Sequence, residues 1–179
     1  MLLVLISTTL CWRLQTNPFE LAAIPHLNGR LFYYGCGMGN LSLAAAIRHI
    51  QQRAAAQALS VHGVVADLRD YELDEDLDAV VFIGLLMFFD CPTAFRALSN
   101  LQAQVREGGV AVVNVLIEGT TYLKMFGAES HCLFSRAEME THFSGWSVFH
   151  FEFSDFEAPG ATKKVFTTLI ARKTEALQN

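Results

Sequence analysis

The chain has 179 residues, which is enough for one domain with a sizeable core. Its composition is 52% hydrophobic and 17% charged, which excludes an intrinsically disordered chain. The formal net charge is -5, and the sequence has no basic stripe of the kind that neutralises phosphates, so nucleic acid is not an expected partner.

The chain starts with an apolar N-terminal segment, residues 1–16. No Lys or Arg precedes its apolar run, as a secretory signal would require, and the first basic residue is Arg13. The run is also shorter than the roughly 20 residues that cross a bilayer. We therefore predict a short strand or helix packed on a domain that covers residues 17–173, followed by a tail at 174–179, in a cytoplasmic protein without membrane contact.

The first half of the domain predicts helices alternating with strands. Asn17, Pro18 and Glu20 form a helix start, and Asn28-Gly29 is a typical helix end. A strand at 31–34 leads into a glycine-rich loop at 35–39 and a helix at about 41–59. The β-branched run at 61–66 predicts another strand, which ends at Asp67.

The second half continues the alternation and then closes with two strands. A continuous apolar run at 79–84 is typical of a buried parallel strand, and a helix at 93–106 and a strand at 110–117 follow. Ser135 and Glu138 form a capping box that begins a helix reaching about Phe143. The last two strands, 147–153 and 164–171, flank a turn at Pro159-Gly160. This order predicts an α/β fold with a mostly parallel sheet and an antiparallel pair at one edge.

The four cysteines are Cys11, Cys36, Cys91 and Cys132, and they are far apart in the sequence. They form no C-x-x-C pair and no Cys/His cluster with zinc spacing, so no metal site is predicted. Four reduced thiols are expected in a cytoplasmic protein.

A strand, a tight glycine loop and a helix together predict a nucleotide-binding turn, because glycines let the backbone approach a ligand. A P-loop is excluded, since the required lysine is missing. The dinucleotide fingerprint G-x-G-x-x-G also fails, because Asn40 stands where the third glycine should be. This mismatch disfavours a nicotinamide-dependent oxidoreductase.

The sequence YGCGMGN at 34–40 resembles motif I of the class I S-adenosylmethionine-dependent methyltransferases. Segments at 65–68, 77–82 and 106–109 are similar to later motifs of this family, in the same order. The segments 67–71, 86–89 and 134–146 are similar to its tellurite-resistance (TehB-like) branch. The resemblance spans roughly residues 17–173 and implies a Rossmann-like methyltransferase fold with S-adenosyl-L-methionine as cofactor.

The resemblance also implies where the ligands bind. The residues expected to contact the cofactor are Gly35, Cys36, Gly37, Met38, Gly39, Asp67, Leu68, Ile83 and Gly84. Open parallel sheets bind ligands at the carboxyl ends of their strands. The residues expected on the substrate side are therefore Met87, Phe88, Glu118, Tyr122 and His131. Core packing is the alternative role for Met87 and Phe88, and a solvated surface position for Glu118 and His131; no residue is assigned to catalysis.

Two departures from the family pattern concern the cofactor. Tyr33 stands where family members usually carry an acidic residue. Only 36 residues run from Leu31 to Ala66, and one strand-helix-strand unit takes about 30. The second strand and its ribose-binding acid are therefore expected to be missing, which gives one strand fewer than usual. Loss of such a bidentate hydrogen bond costs about 2–4 kcal/mol, or roughly 30- to 1000-fold in affinity.

Two functions follow from these patterns, and the sequence leaves both open. One is methyl transfer to a small soft acceptor, such as a thiol or a tellurite- or selenite-like oxyanion. Such a displacement needs little general-base help, so the absence of a catalytic triad is compatible with it. The other is a non-catalytic domain that has lost cofactor binding. The oligomeric state is not predicted.

Overall fold

The computed structural model describes residues 2–7, 26, 31–34, 55–56, 61–66, 69, 75–127 and 131–175. Seven strands form one sheet: β1 (Leu2–Ser7), β2 (Leu31–Tyr34), β3 (Val61–Ala66), β4 (Leu77–Ile83), β5 (Val105–Leu116), β6 (Trp146–Ala158) and β7 (Thr162–Lys173). The helices are a short 3₁₀ turn at Leu86–Phe88, α1 (Cys91–Gln104) and α2 (Arg136–His142).

The sheet has the strand order β3-β1-β2-β4-β5-β7-β6. Strands β2, β4 and β5 pair in parallel, whereas β7 is antiparallel to both β5 and β6. When all pairings are followed, five strands run in one direction and only β1 and β7 oppose them. The predicted mostly parallel α/β sheet with an antiparallel edge pair is therefore confirmed.

The N-terminal strand β1 lies between β2 and β3 and is antiparallel to both. Val4 is opposite Tyr34 on one side and opposite Val64 on the other. The predicted packing of this segment as a strand is confirmed. The parallel strand that was expected to be missing does not stand beside β2, because β1 from the start of the chain takes that place in the sheet.

Several element boundaries differ from the sequence prediction, and the difference is largest between α1 and β5. The predicted helix to Arg106 is wrong in its last two residues, because Val105 is already extended and pairs with Leu77. Gly109 then approaches β4 closely, since a Cβ on it would lie 2.9 Å from the carbonyl oxygen of Asp78. The close approach explains why a glycine marks the point where β5 joins β4 in regular register.

The main core lies between the sheet and α1. The buried face of this helix consists of Ala94, Ala97, Leu98 and Leu101, at the spacing of three and four residues that one helix face requires. These residues pack with Phe82 of β4 and other buried side chains in one cluster. A smaller cluster on the opposite face includes Val81, Val112 and Ile170.

Two predicted elements fall mostly outside the described residues. These are the helix that starts at Asn17 and the helix at 41–59, of which residues 55–56 are described and are helical. Among the helices that the structure describes, none is both long and apolar enough to cross a bilayer.

The central position of β1 gives a test. Replacing Val4 by proline removes a backbone donor from a strand that is paired on both sides. We expect Val4→Pro to lower the free energy of unfolding by about 1–3 kcal/mol, measured by urea denaturation, because a carbonyl of a neighbouring strand loses its hydrogen-bond donor. Val4→Ile is the control, since it keeps the N–H group. Equal stability of the proline variant and the wild type would show that β1 does not pair within the sheet.

Candidate active site

The carboxyl ends of β2, β4 and β5 meet at one edge of the sheet. Tyr34 lies opposite Phe82, and Ile83 lies opposite Asn114, so the three strands end at nearly the same level. Tyr34, the last residue of β2, therefore lies beside the end of β4. In open parallel sheets this edge is where ligands bind.

Of the residues expected to contact the cofactor, Ile83 and Gly84 are described. Both are partly exposed at this edge. The others lie outside the described residues: Gly35, Cys36, Gly37, Met38, Gly39, Asp67 and Leu68. The strand that precedes Asp67 ends at Ala66, at the same edge of the sheet.

Gly84 makes the turn at the end of β4. Its backbone has φ +65°, a conformation that favours glycine, and its N–H donates to the carbonyl of Asn114 at 2.8 Å. The Asn114 side chain is 1% exposed and donates to the hydroxyl of Thr168 at 3.0 Å. Asn114 therefore joins β7 to the turn after β4.

Sequence reasoning did not single out Asn114 as a site residue. The sequence does contain an indication of this role, since Asn114 is a single amide within an apolar run of β5. A buried polar group of this kind needs hydrogen-bond partners.

Met87 and Phe88 lie on the 3₁₀ turn directly after Gly84. Met87 is only 3% exposed, and its Cε lies 3.8 Å from the place that a Cβ on Gly84 would take. Its carbonyl accepts a hydrogen bond from the Cys132 N–H at 3.1 Å. The Met87 side chain thus packs in the core beside the cofactor edge, which is the alternative role considered for it.

Phe88, Phe126 and His131 form an aromatic group beside this turn. The ring centroids of Phe88 and Phe126 are 5.4 Å apart in an edge arrangement, and Phe126 stacks on His131 at 4.9 Å. Nδ1 of His131 is buried and has no hydrogen-bond partner among the described residues. The structure therefore brings together two of the predicted substrate-side residues, Phe88 and His131, through Phe126.

Glu118 and Tyr122 lie on the chain that follows β5, nearer to β7. The Glu118 side chain is exposed, and its N–H donates to the carbonyl of Phe134 at 3.0 Å. The N–H of Tyr122 donates to the carbonyl of Lys163 at 3.1 Å, and Nζ of Lys164 lies 4.9 Å from its ring centroid. Tyr122 is therefore held against the start of β7.

Cys91 and Cys132 form a disulfide, with their Cα atoms 4.7 Å apart. The expectation of four reduced thiols is therefore wrong for this pair. The pairing could not be predicted from the sequence, because 41 positions separate the two residues and only the fold brings them together. The bridge ties the start of α1 to the segment that holds His131.

Asp90 caps α1 beside the disulfide. Its Oδ1 accepts the N–H of Thr93 at 2.9 Å, and this hydrogen bond holds the pKa of the carboxyl below its usual value. In the part of the chain that the structure describes, no group of three or more His, Cys, Asp or Glu side chains could hold a metal ion.

Comparison with known proteins agrees with this architecture. A family model described as "Tellurite resistance protein TehB" matches residues 29–157. No curated protein matches the chain.

Among solved structures, the chain is similar to TehB from Haemophilus influenzae, with a TM-score of 0.61 and 16% identity over 73% of this chain and 47% of that one. It spans about half of the length of that protein. It is also similar to the N-methyltransferase NodS from Bradyrhizobium japonicum WM9, solved with S-adenosyl-L-homocysteine, with a TM-score of 0.58 and 16% identity over 92% of both chains. At these identities the likeness establishes the fold, a Rossmann-like methyltransferase fold.

The disulfide gives one prediction. For a loop that spans 41 positions, the chain-entropy relation predicts a stabilisation of about 4 kcal/mol. We expect the double variant Cys91→Ala/Cys132→Ala to lose roughly this free energy of unfolding in urea. The wild type in excess reductant should match the variant. Peptide mapping without reductant should recover the 91–132 cross-link, and its absence from protein handled in air would contradict the pairing.

The cap at Asp90 gives a second, pH-dependent prediction. Because the folded pKa is lowered, the carboxylate contributes stability above the unfolded pKa of about 3.9, and that contribution is lost as the pH falls through the lower folded value. We expect Asp90→Ala to have a lower Tm than the wild type at pH 7 and a shrinking difference below about pH 4. Asp90→Asn, which caps without charge, is the control and should lack this dependence. A constant difference across the range would rule out the charged cap.

Proposed function

The chain belongs to the TehB family of tellurite resistance proteins, and from this we propose that it transfers a methyl group from S-adenosyl-L-methionine to a small soft acceptor. The observation that carries the proposal is the place where β2 ends. Its last residue, Tyr34, precedes Gly35 in the sequence and lies opposite Phe82, at the carboxyl edge of the parallel strands. Open sheets bind nucleotide-like ligands at this edge.

The residues proposed to hold the cofactor are the loop 35–39, Asp67, Leu68, Ile83 and Gly84. The surroundings of Gly84 support this assignment, since Met87 Cε at 3.8 Å is the one heavy atom of the described residues within 4 Å of a Cβ built there. Backbone N–H groups of the loop suit the methionine and sugar moieties, and a carboxylate at Asp67 suits an adenine amino group. When bound, the cofactor supplies a methyl group on a positively charged sulfur.

Cofactor affinity is proposed to be weak, because the strand beside β2 brings no acid to this edge. Its sequence is LLVLIS, and the first carboxylate of the chain is Glu20. β1 also runs antiparallel, so its first residues, and not its last, lie level with Tyr34 and Ala66. The ribose hydroxyls then lack the bidentate partner that is worth about 2–4 kcal/mol.

The acceptor is proposed to bind against Phe88, Phe126 and His131. The two phenylalanine rings offer an apolar surface for the acceptor to pack against. His131 offers a buried nitrogen that no other described group uses, so it can hydrogen-bond the acceptor or take a proton from it. A thiol or a tellurite- or selenite-like oxyanion fits these features, since a soft nucleophile mainly needs alignment with the methyl group.

We propose a small molecule as the substrate and the cytoplasm as the location. In this compartment the Cys91–Cys132 pair would be reduced for part of the time, because the cytosol keeps most thiols reduced. Thiol trapping in intact cells, followed by mass spectrometry, tests the location and the redox state together.

A second candidate function rests on the same strand. If the missing contact to the ribose hydroxyls lowers the cofactor affinity too far, the domain keeps the methyltransferase fold but does not bind the cofactor. The antiparallel β1, which fills the sheet but supplies no carboxylate, favours this candidate. The two candidates differ in one measurable quantity, the affinity for S-adenosyl-L-homocysteine.

Calorimetric titration with S-adenosyl-L-homocysteine separates them. We expect a dissociation constant between about 30 μM and 1 mM, since a 30- to 1000-fold loss is applied to an ordinary micromolar affinity. Gly37→Val should abolish binding by filling the loop. His131→Ala should bind within about twofold of the wild type and lose tenfold or more of methyl transfer to tellurite, selenite or a thiol, measured as S-adenosyl-L-homocysteine formed.

Two other outcomes of this experiment contradict parts of the proposal. Absence of heat at millimolar ligand from a folded protein would establish the non-catalytic candidate. Micromolar binding would show that another residue replaces the missing acid.

A further inference from the structure

A cavity of about 450 Å³ lies on the β6–β7 side of the molecule, apart from the candidate active site. Its volume is in the range of small-molecule sites. Two histidines, an arginine and a serine surround an aromatic and an aliphatic side chain. The residues that line it are His26, Ser147, Phe149, His150, Ile170 and Arg172.

The cavity lies at the amino ends of the parallel strands. Arg172 is opposite Val110, whereas Tyr34, the last residue of β2, is level with Phe82 and so with Val113. Three residue steps along the strand, about 10 Å, and three strand spacings, about 14 Å, separate Arg172 from the end of β2. The cavity is therefore separate from the carboxyl end of β2.

A β-bulge builds the wall of the cavity. The register of β6 shifts between Val148 and His150, and as a result the consecutive residues Phe149 and His150 both line the cavity. In a regular strand they would point to opposite faces. Bulges re-aim side chains in this way next to binding sites.

The charged groups of the cavity favour an anion. The guanidinium carbon of Arg172 lies 5.7 Å from the centroid of the Phe149 ring, and the His26 ring lies 4.4 Å from the same centroid. Within the described ranges, no carboxylate forms a salt bridge with Arg172. Oε2 of Glu152 lies 3.3 Å from Nε2 of His150. The Arg172 guanidinium is therefore the charged group that an anion in the cavity would meet.

We propose that this cavity binds a small organic anion, a carboxylate or a phosphate monoester with an apolar body. The Arg172 guanidinium holds the anionic oxygens through its fork of N–H donors, and Ser147 and the imidazole of His26 add further hydrogen bonds. Phe149 and Ile170 contact the apolar part. The ligand joins the segment before β2 to the closing hairpin, because His26 belongs to the first and Arg172 to the second.

Histidine side-chain NMR tests the proposal, with phenyl phosphate and benzoate as separate probes. The protein has six histidines, and we expect the resonances of His26 and His150 to shift saturably with one probe at millimolar concentration or below, while those of His131 and His142 stay in place. A response to phenyl phosphate alone identifies a phosphate site, and a response to benzoate alone identifies a carboxylate site.

Two variants give the control. Arg172→Gln should weaken binding tenfold or more because it removes the fork, with the fold checked by circular dichroism. Arg136→Gln, which changes another exposed arginine over phenylalanine rings of β6, should change binding less than twofold. Shifts that do not saturate, that sodium chloride reproduces at equal ionic strength, or that persist in Arg172→Gln would overturn the proposal.

Discussion

The antiparallel pairing of β1 with both β2 and β3 is the constraint on which the rest of the sheet depends. β2 and β3 are too close in the sequence for a further parallel strand and its crossover to fit between them. Leaving the edges of β2 and β3 unpaired would be costly, because their backbone groups would lack hydrogen-bond partners. A strand from the start of the chain therefore supplies the missing hydrogen bonds. Its direction also decides what the sheet lacks at the ligand edge, because an antiparallel strand brings its first residues there and not a terminal acid.

The other half of the sheet is fixed by different means. Gly84 and Asn114 connect β4, β5 and β7 by hydrogen bonds, and the Cys91–Cys132 bridge ties α1 to the segment after β5. These links position the aromatic group of Phe88, Phe126 and His131 beside the end of β4. The proposed acceptor side is therefore held by hydrogen bonds and a disulfide. The proposed cofactor side instead depends on β1, which takes the place of the parallel strand expected to be missing. This division explains why cofactor affinity is the quantity on which the function depends.

The two ends of the sheet also differ in chemistry. At the carboxyl edge, the turn after Gly84 carries Phe88, which packs with Phe126 beside His131, and Nδ1 of His131 has no hydrogen-bond partner among the described residues. The amino edge near β6 carries Arg172, His26 and His150 around Phe149, an arrangement produced by one bulge. Because β4 and β5 lie between the end of β2 and Arg172 of β7, a ligand at one end could affect the other only through the strands or the hairpin.

The sequence by itself determined the order of the strands from β2 onward, the two helices that follow β4, and the family. These features depend on local patterns, such as the apolar run of β4, the capping box at Ser135 and the spacing of Gly35, Gly37 and Gly39. It also revealed that a strand was missing, since chain length limits what fits between two strands. Only the tertiary structure decided that β1 fills the gap, that Cys91 meets Cys132, and that His26 meets Phe149. These contacts join residues far apart in the chain, and no local propensity encodes which distant partner a strand edge, a thiol or a ring will meet.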